Sequence, residues 1–173
     1  MRRNQESYLN KEESDCRAEM SKGAHRRADG SMHIMMRKRA LITGASRGIG
    51  AAAARALARD GYDLFLVCKN SGAALEKVKQ EVTQQYGICC GTALCDVSNA
   101  CEVETMIKNA GEIHVLVNNA AVSYVGLLTD MSLKEWHQIM DTNLNSLFYI
   151  CRLIVPQMVH RKEGRILNIS SVW

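Results

Sequence analysis

A glycine-rich turn, TGASRGIG at residues 43–50, follows a short apolar run and precedes an alanine-rich stretch. The apolar run, residues 39–43, is typical of a buried strand, and residues 49–60 of a helix that ends before Gly61. Glycines between a strand and a helix let the backbone turn sharply and bring a helix N-terminus close to a pyrophosphate. The G-x3-G-x-G spacing differs from the G-x-G-x2-G dinucleotide fingerprint. The turn alone therefore leaves open two interpretations, nucleotide binding and simple packing.

The pattern of an apolar strand followed by a helix repeats along the chain. Further strands are predicted at residues 63–67, 91–95, 113–117 and 165–170, with helices between them that end near residues 86, 109 and 161. A capping box, Ser132 to Glu135, opens the last of these helices, and Pro156 is expected to kink it. Nearly continuous apolar strands that alternate with helices predict an α/β fold with a doubly wound parallel sheet.

Residues 1–38 differ in composition from the rest of the chain. They contain nine Lys or Arg and six Asp or Glu residues and show no sustained apolar period. This composition predicts a disordered or weakly helical tail, and later methionines at 32, 35 and 36 favour a spurious extension. Basic residues without interleaved aromatics favour a solvated tail over a nucleic-acid-binding arm. We expect residues 39–173 to form the folded domain.

Bulk composition excludes several classes of protein. A net charge of +4 gives little reason to expect a nucleic-acid or membrane partner. No apolar run reaches the length of a membrane span, and the N-terminus lacks the apolar stretch of a signal peptide. The seven cysteines lack the C-x2-C spacing of a metal site. We interpret them as small buried side chains in a reducing cytoplasm, and predict no metal.

The residues after the second predicted strand bear on the choice of cofactor. An acidic residue usually stands there when a ribose 2′-hydroxyl is bound. This sequence has Cys68-Lys69-Asn70 instead. Because Lys69 and Arg47 would neutralise a 2′-phosphate, the sequence favours NADP(H) over NAD(H). The alternative is that Lys69 is a solvated surface lysine.

Five motifs follow one another in order: TGASRGIG, CDVS after the third strand, NNAA after the fourth, TNLNS in the long helix and NISSV after the fifth. Together, over residues 38–173, they resemble the short-chain dehydrogenase/reductase family, and especially its branch of 3-oxoacyl-acyl-carrier-protein reductases. The resemblance implies a Rossmann-like domain that binds NADP(H) and reduces a ketone by hydride transfer.

The resemblance also implies roles for individual residues. Together with Lys69, the predicted cofactor-binding set comprises Gly44, Ser46, Arg47, Gly48, Ile49, Gly50, Asp96, Val97, Asn119 and Ala120. Asp96 would accept a hydrogen bond from the adenine amino group, and Asn143 would hold a helix kink and the water of a proton relay. Ser171 would be the catalytic serine that hydrogen-bonds the substrate carbonyl, with Ser170 in that role if the match shifts by one residue.

The sequence departs from the family pattern at three places. NNAA ends in Ala121 where glycine is usual, and His114 stands where an acidic residue is common. We interpret His114 as structural. The family's Tyr-x3-Lys pair, expected about a dozen residues after the serine, is absent, since no tyrosine has a lysine four residues later. In that pair the lysine lowers the pKa of the tyrosine that supplies the proton.

These observations support one leading hypothesis and two alternatives. We expect a cytoplasmic NADPH-dependent reductase, truncated after its fifth strand, inactive as written and prone to aggregation through uncovered apolar surfaces. Its substrate would be a small-molecule or carrier-bound carbonyl, such as a 3-oxoacyl thioester or a ketone on a modified protein side chain. The full-length form would be a homo-tetramer. The alternatives are a non-catalytic NADP(H)-binding module and an interaction protein whose basic tail binds RNA or an acidic partner.

Overall fold

Strands and helices alternate throughout residues 37–171, which are the residues that a computed structural model of the chain describes. The strands are β1 (Arg39–Thr43), β2 (Asp63–Cys68), β3 (Cys90–Leu94), β4 (Val115–Asn118) and β5 (Arg165–Asn168). The helices are α1 (Gly48–Arg59), α2 (Gly72–Tyr86), α3 (Ala100–Ala110), α4 (Leu133–Met140) and α5 (Ser146–Arg161). The predictions made for the tail at residues 1–36 lie outside the described residues.

The five strands form one parallel sheet in the order β3-β2-β1-β4-β5. From β1 the chain moves outward through β2 to β3, and then crosses back to place β4 on the other side of β1. This order confirms the predicted doubly wound α/β fold. Because the chain leaves β1 and β4 toward opposite edges, a crevice is expected beyond the carboxyl ends of these two strands.

Successive strand residues pack into two separate cores, one on each face of the sheet. In β2, Leu64 and Leu66 pack against α1 and α2, whereas Phe65 and Val67 pack against α3 and α5. Both faces of β1, β2 and β4 are thus covered by helices, which explains why these three strands are apolar at nearly every position. Cysteines 68, 90 and 95 are buried within these cores, as predicted for them, whereas Cys101 is exposed.

The long helix predicted from residue 132 to residue 161 is helical throughout residues 133–161, but a π-helical turn divides it into two α-helices. The capping box at Ser132 is present, but α4 ends at Met140 and a wider π-helical turn, Asp141–Asn145, separates it from α5. The Ser146 hydroxyl donates to the carbonyl of Thr142 at 2.6 Å, a bond that competes with regular helical pairing. The interruption therefore lies well before Pro156, through which α5 continues.

His114 lies at the amino edge of the sheet, immediately before β4. Its Nδ1 accepts a hydrogen bond from the Arg39 backbone N–H at 3.2 Å, and its own backbone joins Arg39 and Arg165. Burial and the nearby Arg161 guanidinium lower the pKa of His114. An imidazole that accepts from the first residue of β1, on a residue whose backbone pairs with the first residues of β1 and β5, fits the structural role predicted for His114.

No helix in the described part of the chain is long and apolar enough to cross a membrane.

We predict that Leu116→Ala destabilises the protein by about 2–5 kcal/mol, because removal of a buried leucine leaves a cavity. Leu116 is 0% exposed at the centre of β4. Leu133→Ala is the matched control, since Leu133 is 78% exposed and its loss should change stability by less than about 0.5 kcal/mol. Urea unfolding followed by circular dichroism measures both. Equal effects would contradict the assignment of Leu116 to the core.

Candidate functional site

A cleft of about 410 Å³ lies beyond the carboxyl ends of the strands. Its walls come from the residues that follow β1, β2, β3 and β4, and from the turn after α4. This is the crevice expected from the strand order, at the point where the chain reverses its direction across the sheet.

The glycine turn forms the floor of the cleft because its backbone packs directly against the residues that follow β4. Gly44 has a φ of +64°, and a Cβ at this position would lie 2.9 Å from the Asn119 side-chain nitrogen and 3.0 Å from the Ala120 Cα. A Cβ at Gly50 would lie 2.4 Å from the Gly44 carbonyl oxygen. Both glycines therefore permit contacts that any side chain would block.

Thr43 and Asn119 hold the ends of β1 and β4 together. The buried Thr43 hydroxyl oxygen accepts the backbone N–H groups of Asn119 (2.9 Å) and Ala120 (3.0 Å). The Asn119 amide donates to the carbonyls of Thr43 (3.0 Å) and Gly44 (3.2 Å). Asn119, predicted to bind the cofactor, thus lines the cleft while its side chain supports the turn.

The N-terminus of α1 has donors that no side chain caps. Its N-cap residue, Arg47, makes no side-chain capping bond, and the first turn of α1 contains no acidic residue. Helix α2 shares both features, whereas α3 is capped by Asn99 and α4 by Ser132. Unpaired backbone N–H groups and the positive end of the helix dipole favour an anion beside the turn.

Lys69 and Asp96 pair across the opening of the cleft. The Lys69 Nζ lies 2.5 Å from Asp96 Oδ2, and the two side chains are 55% and 24% exposed. The other carboxylate oxygen of Asp96 accepts the Ser98 backbone N–H (3.1 Å) and hydroxyl (2.7 Å). Burial acts to raise the pKa of Asp96, but Lys69 and Ser98 outweigh it, so the pKa lies below its ordinary value.

Asn143 connects the π-helical turn to the loop after β4. Its side-chain oxygen accepts the Val122 N–H at 2.9 Å, and its nitrogen donates to the Val122 carbonyl at 2.8 Å. Because Val122 lines the cleft, Asn143 supports the wall without lining it. Ser171 is exposed and follows β5 at the same carboxyl edge of the sheet, also outside the lining residues.

The structure brings most of the predicted cofactor residues to this one cleft. Those that line it are Gly44, Ser46, Arg47, Lys69, Asp96, Val97, Asn119 and Ala120. Gly48, Ile49 and Gly50 belong to the first turn of α1 and do not line it, and Ile49 is 62% exposed. Gly50 acts through packing against Gly44, as described above.

Two cysteines line the cleft, and neither is an activated thiol. Burial raises the pKa of Cys68, and it raises the pKa of Cys95 to about 12, with the carboxylates of Glu102 and Asp96 adding to the effect. Thiols with raised pKa values are poor nucleophiles at neutral pH. Among residues 37–171, no group of three or more His, Cys, Asp or Glu residues is arranged to hold a metal ion.

Sequence reasoning missed the role of Thr43 and the position of Thr142. Thr43 is 2% exposed, and its hydroxyl organises the turn. Thr142 lines the cleft from the π-helical turn. A polar residue at the last position of an otherwise apolar strand was the available signal for Thr43, and the TNLNS motif that begins at Thr142 was the signal for Thr142.

Comparison with known sequences identifies a family that this chain matches. The short chain dehydrogenase family pattern matches residues 38–173. The chain is 39% identical over 143 residues to the 3-oxoacyl-(acyl-carrier-protein) reductase FabG of Staphylococcus aureus strain Mu50, covering 80% of this chain and 58% of that protein. It is 34% identical over 143 residues to FabG of Chlamydia muridarum, covering 57% of that protein. The chain thus spans less than two thirds of these relatives.

Solved structures show the same architecture. A metagenomic short-chain oxidoreductase in complex with NADP superposes with a TM-score of 0.74 at 34% identity, covering 78% of this chain and 62% of that one. An alcohol dehydrogenase from the archaeon Thermococcus sibiricus, complexed with 5-hydroxy-NADP, superposes with a TM-score of 0.72 at 37% identity. The superposition covers 77% of this chain and 57% of the archaeal enzyme.

We predict that Gly50→Ala destabilises the protein by about 1–3 kcal/mol, because the added methyl group would meet the Gly44 carbonyl and force the backbone to shift. Gly72→Ala is the control. A Cβ there meets Leu94 at an ordinary 3.5 Å, so alanine should be neutral or slightly stabilising. Thermal unfolding of the two variants measures the difference. A stable Gly50 variant would show that close packing of the turn is not required.

Proposed function

Because the chain belongs to the short-chain dehydrogenase family, we propose that its cleft binds NADP(H) and that the protein serves in NADP(H)-dependent reduction of a carbonyl compound. The observation that carries this proposal is the meeting of the glycine turn, the uncapped end of α1 and two cations, Arg47 and Lys69, at one cleft. The NADP of the metagenomic relative and the 5-hydroxy-NADP of the archaeal enzyme support it.

Each part of the cleft fits one part of the dinucleotide. The α1 amides and the turn at Gly44 would hold the pyrophosphate, as helix N-termini do in dinucleotide-binding folds. Lys69 and Arg47 would face the 2′-phosphate, and Asp96 with Val97 would border the adenine. The turn after β4, at Asn119 and Ala120, would support the nicotinamide-side ribose. When bound, the nicotinamide supplies the hydride for reduction.

We further propose that Ser171 and Asn143 are the catalytic residues of this half of the site. Ser171 follows β5 at the carboxyl edge of the sheet, where its hydroxyl would hydrogen-bond a substrate carbonyl. Asn143 occupies the π-helical turn, and its paired bonds to Val122 hold that turn against the cleft wall. Helical interruptions of this kind often coincide with functional sites.

Reduction of a ketone also needs a proton donor. The sequence contains no Tyr-x3-Lys pair. In our proposal the residues of the cleft bind the cofactor. Ketone reduction belongs to a protein of the relatives' length that contains a Tyr-x3-Lys pair. A 3-oxoacyl thioester, or a similar small-molecule or carrier-bound carbonyl, is the proposed substrate. A homo-tetramer is the proposed assembly, and the cytoplasm the proposed location.

A second candidate function is a non-catalytic NADP(H)-binding module, which would use the same glycine turn and the same cations at the cleft. The two candidates differ in one assay. With an acetoacetyl thioester as substrate, the module and the isolated 173-residue chain would bind NADPH without oxidising it. A longer protein that contains the Tyr and Lys would oxidise NADPH in the same assay.

We predict that Gly44→Val weakens NADPH binding by more than about tenfold, because the side chain would occupy the space between the turn and Ala120 and displace the phosphate-binding amides. Gly87→Val is the matched control. Gly87 has a similar φ of +59°, but it ends α2 away from the cleft. Fluorescence titration with NADPH measures both affinities, and circular dichroism measures folding.

Arg47→Ala tests the same assignment without backbone strain, because Arg47 is exposed and lines the cleft. It should weaken NADPH binding more than NADH binding. Unchanged NADPH affinity in both the Gly44 and the Arg47 variants would refute the assignment of the cleft to the cofactor.

A further inference from the structure

We propose that Asp96 limits how strongly the cleft discriminates NADP(H) from NAD(H), because its carboxylate competes with the 2′-phosphate for Lys69. This inference rests on the proposed function and concerns its cofactor specificity. It starts from the ion pair between the Lys69 Nζ and Asp96 Oδ2, two groups that line the same cleft.

Of the two partners, Asp96 is held in place and Lys69 is free to move. Asp96 Oδ1 accepts both the backbone N–H and the hydroxyl of Ser98, which forms a closed turn around the carboxylate. The Lys69 side chain is 55% exposed, and a lysine ammonium is carried on a flexible four-carbon chain. A second anion at the opening would therefore draw Lys69 away and leave Asp96 where it is.

When Lys69 leaves Asp96 to bind the 2′-phosphate, the loss of the ion pair costs free energy. Only the phosphorylated cofactor bears this cost. NADPH must draw Lys69 from Asp96, and its 2′-phosphate must also lie near a carboxylate of the same sign. NADH has a 2′-hydroxyl and leaves the ion pair intact. Any contact that Asp96 makes with the adenine is common to both cofactors, so it cancels in the ratio of their affinities.

The experiment is to measure the ratio of NADH to NADPH dissociation constants for wild type, Asp96→Asn, Lys69→Met and the double variant. Asparagine preserves the shape of the side chain and its acceptor for Ser98. Since a partly exposed ion pair contributes about 0.2–1 kcal/mol, Asp96→Asn should raise the preference for NADPH by up to about fivefold. Lys69→Met should lower that preference by about tenfold or more.

Glu102→Gln is the matched control for charge. The Glu102 carboxylate accepts the Asp96 backbone N–H at 2.8 Å, so it lies next to the same turn, and no ion pair joins it to Lys69 within the described residues. Its neutralisation should change the cofactor ratio much less than neutralisation of Asp96. In the Lys69→Met background, Asp96→Asn should raise the NADPH preference less than it does in wild type, because only the repulsion between the carboxylate and the 2′-phosphate is left to relieve.

The outcomes separate this inference from the proposed function. A raised NADPH preference in Asp96→Asn that becomes smaller without Lys69 supports the competition, whereas an equal rise with and without Lys69 overturns it in favour of simple repulsion. An unchanged ratio overturns it, and so does a lowered one, which would mean that Asp96 positions Lys69 for the phosphate. If wild type binds neither cofactor, the proposed function fails first and the competition fails with it. A Lys69→Met variant should also raise the pKa of Asp96, which NMR titration measures without any cofactor.

Discussion

The direct contact between the ends of β1 and β4 is the constraint on which the cleft depends. Two neighbouring strands whose chains leave in opposite directions open a crevice only if their first loop residues can meet without side chains between them. Thr43 supplies the acceptor for both amides of the β4 turn, and Asn119 returns two hydrogen bonds to the β1 turn. Gly44 and Gly50 supply the space. The cleft is therefore a consequence of backbone packing at the centre of the sheet.

Charged groups are placed at the opening of the cleft, while its floor is made of backbone. The floor is the glycine turn that leads into the uncapped N-terminus of α1, and the positions of its backbone groups are fixed by packing and by the helix. Lys69, Asp96 and Arg47 stand farther out on partly exposed side chains. Binding of a pyrophosphate would thus rest on rigid geometry, and selection between related dinucleotides on mobile charges. Such an arrangement separates affinity from specificity within a single site.

Local signals in the sequence were enough to predict the sheet and the turn, whereas most of the cleft residues were predicted from the family resemblance. A strand-to-helix turn requires unusual backbone conformations, and glycine is the visible mark of that requirement at Gly44. The Lys69–Asp96 pair left no such mark, because it depends on β2 and β3 lying side by side. The residue pattern alone did not mark the π-helical turn between α4 and α5, since apolar periodicity continues across it and Pro156 was the stronger helix-breaking signal. The family resemblance did, because it implies a helix kink at Asn143.

Burial across the sheet is strongly graded. All residues of β2 and β4 are buried, whereas all four residues of β5 are exposed, including Ile166 and Leu167 on opposite faces. Backbone amides in β5 should exchange with deuterium through small local openings, and those of β1, β2 and β4 only when the whole sheet opens. The Asn118 side chain at the end of β4 donates a hydrogen bond to the Asn168 side chain at the end of β5. This pair therefore marks the boundary between the strands expected to exchange slowly and the strand expected to exchange fast. Within residues 37–171, the strand that leads to Ser171 is thus the most exposed strand of the sheet.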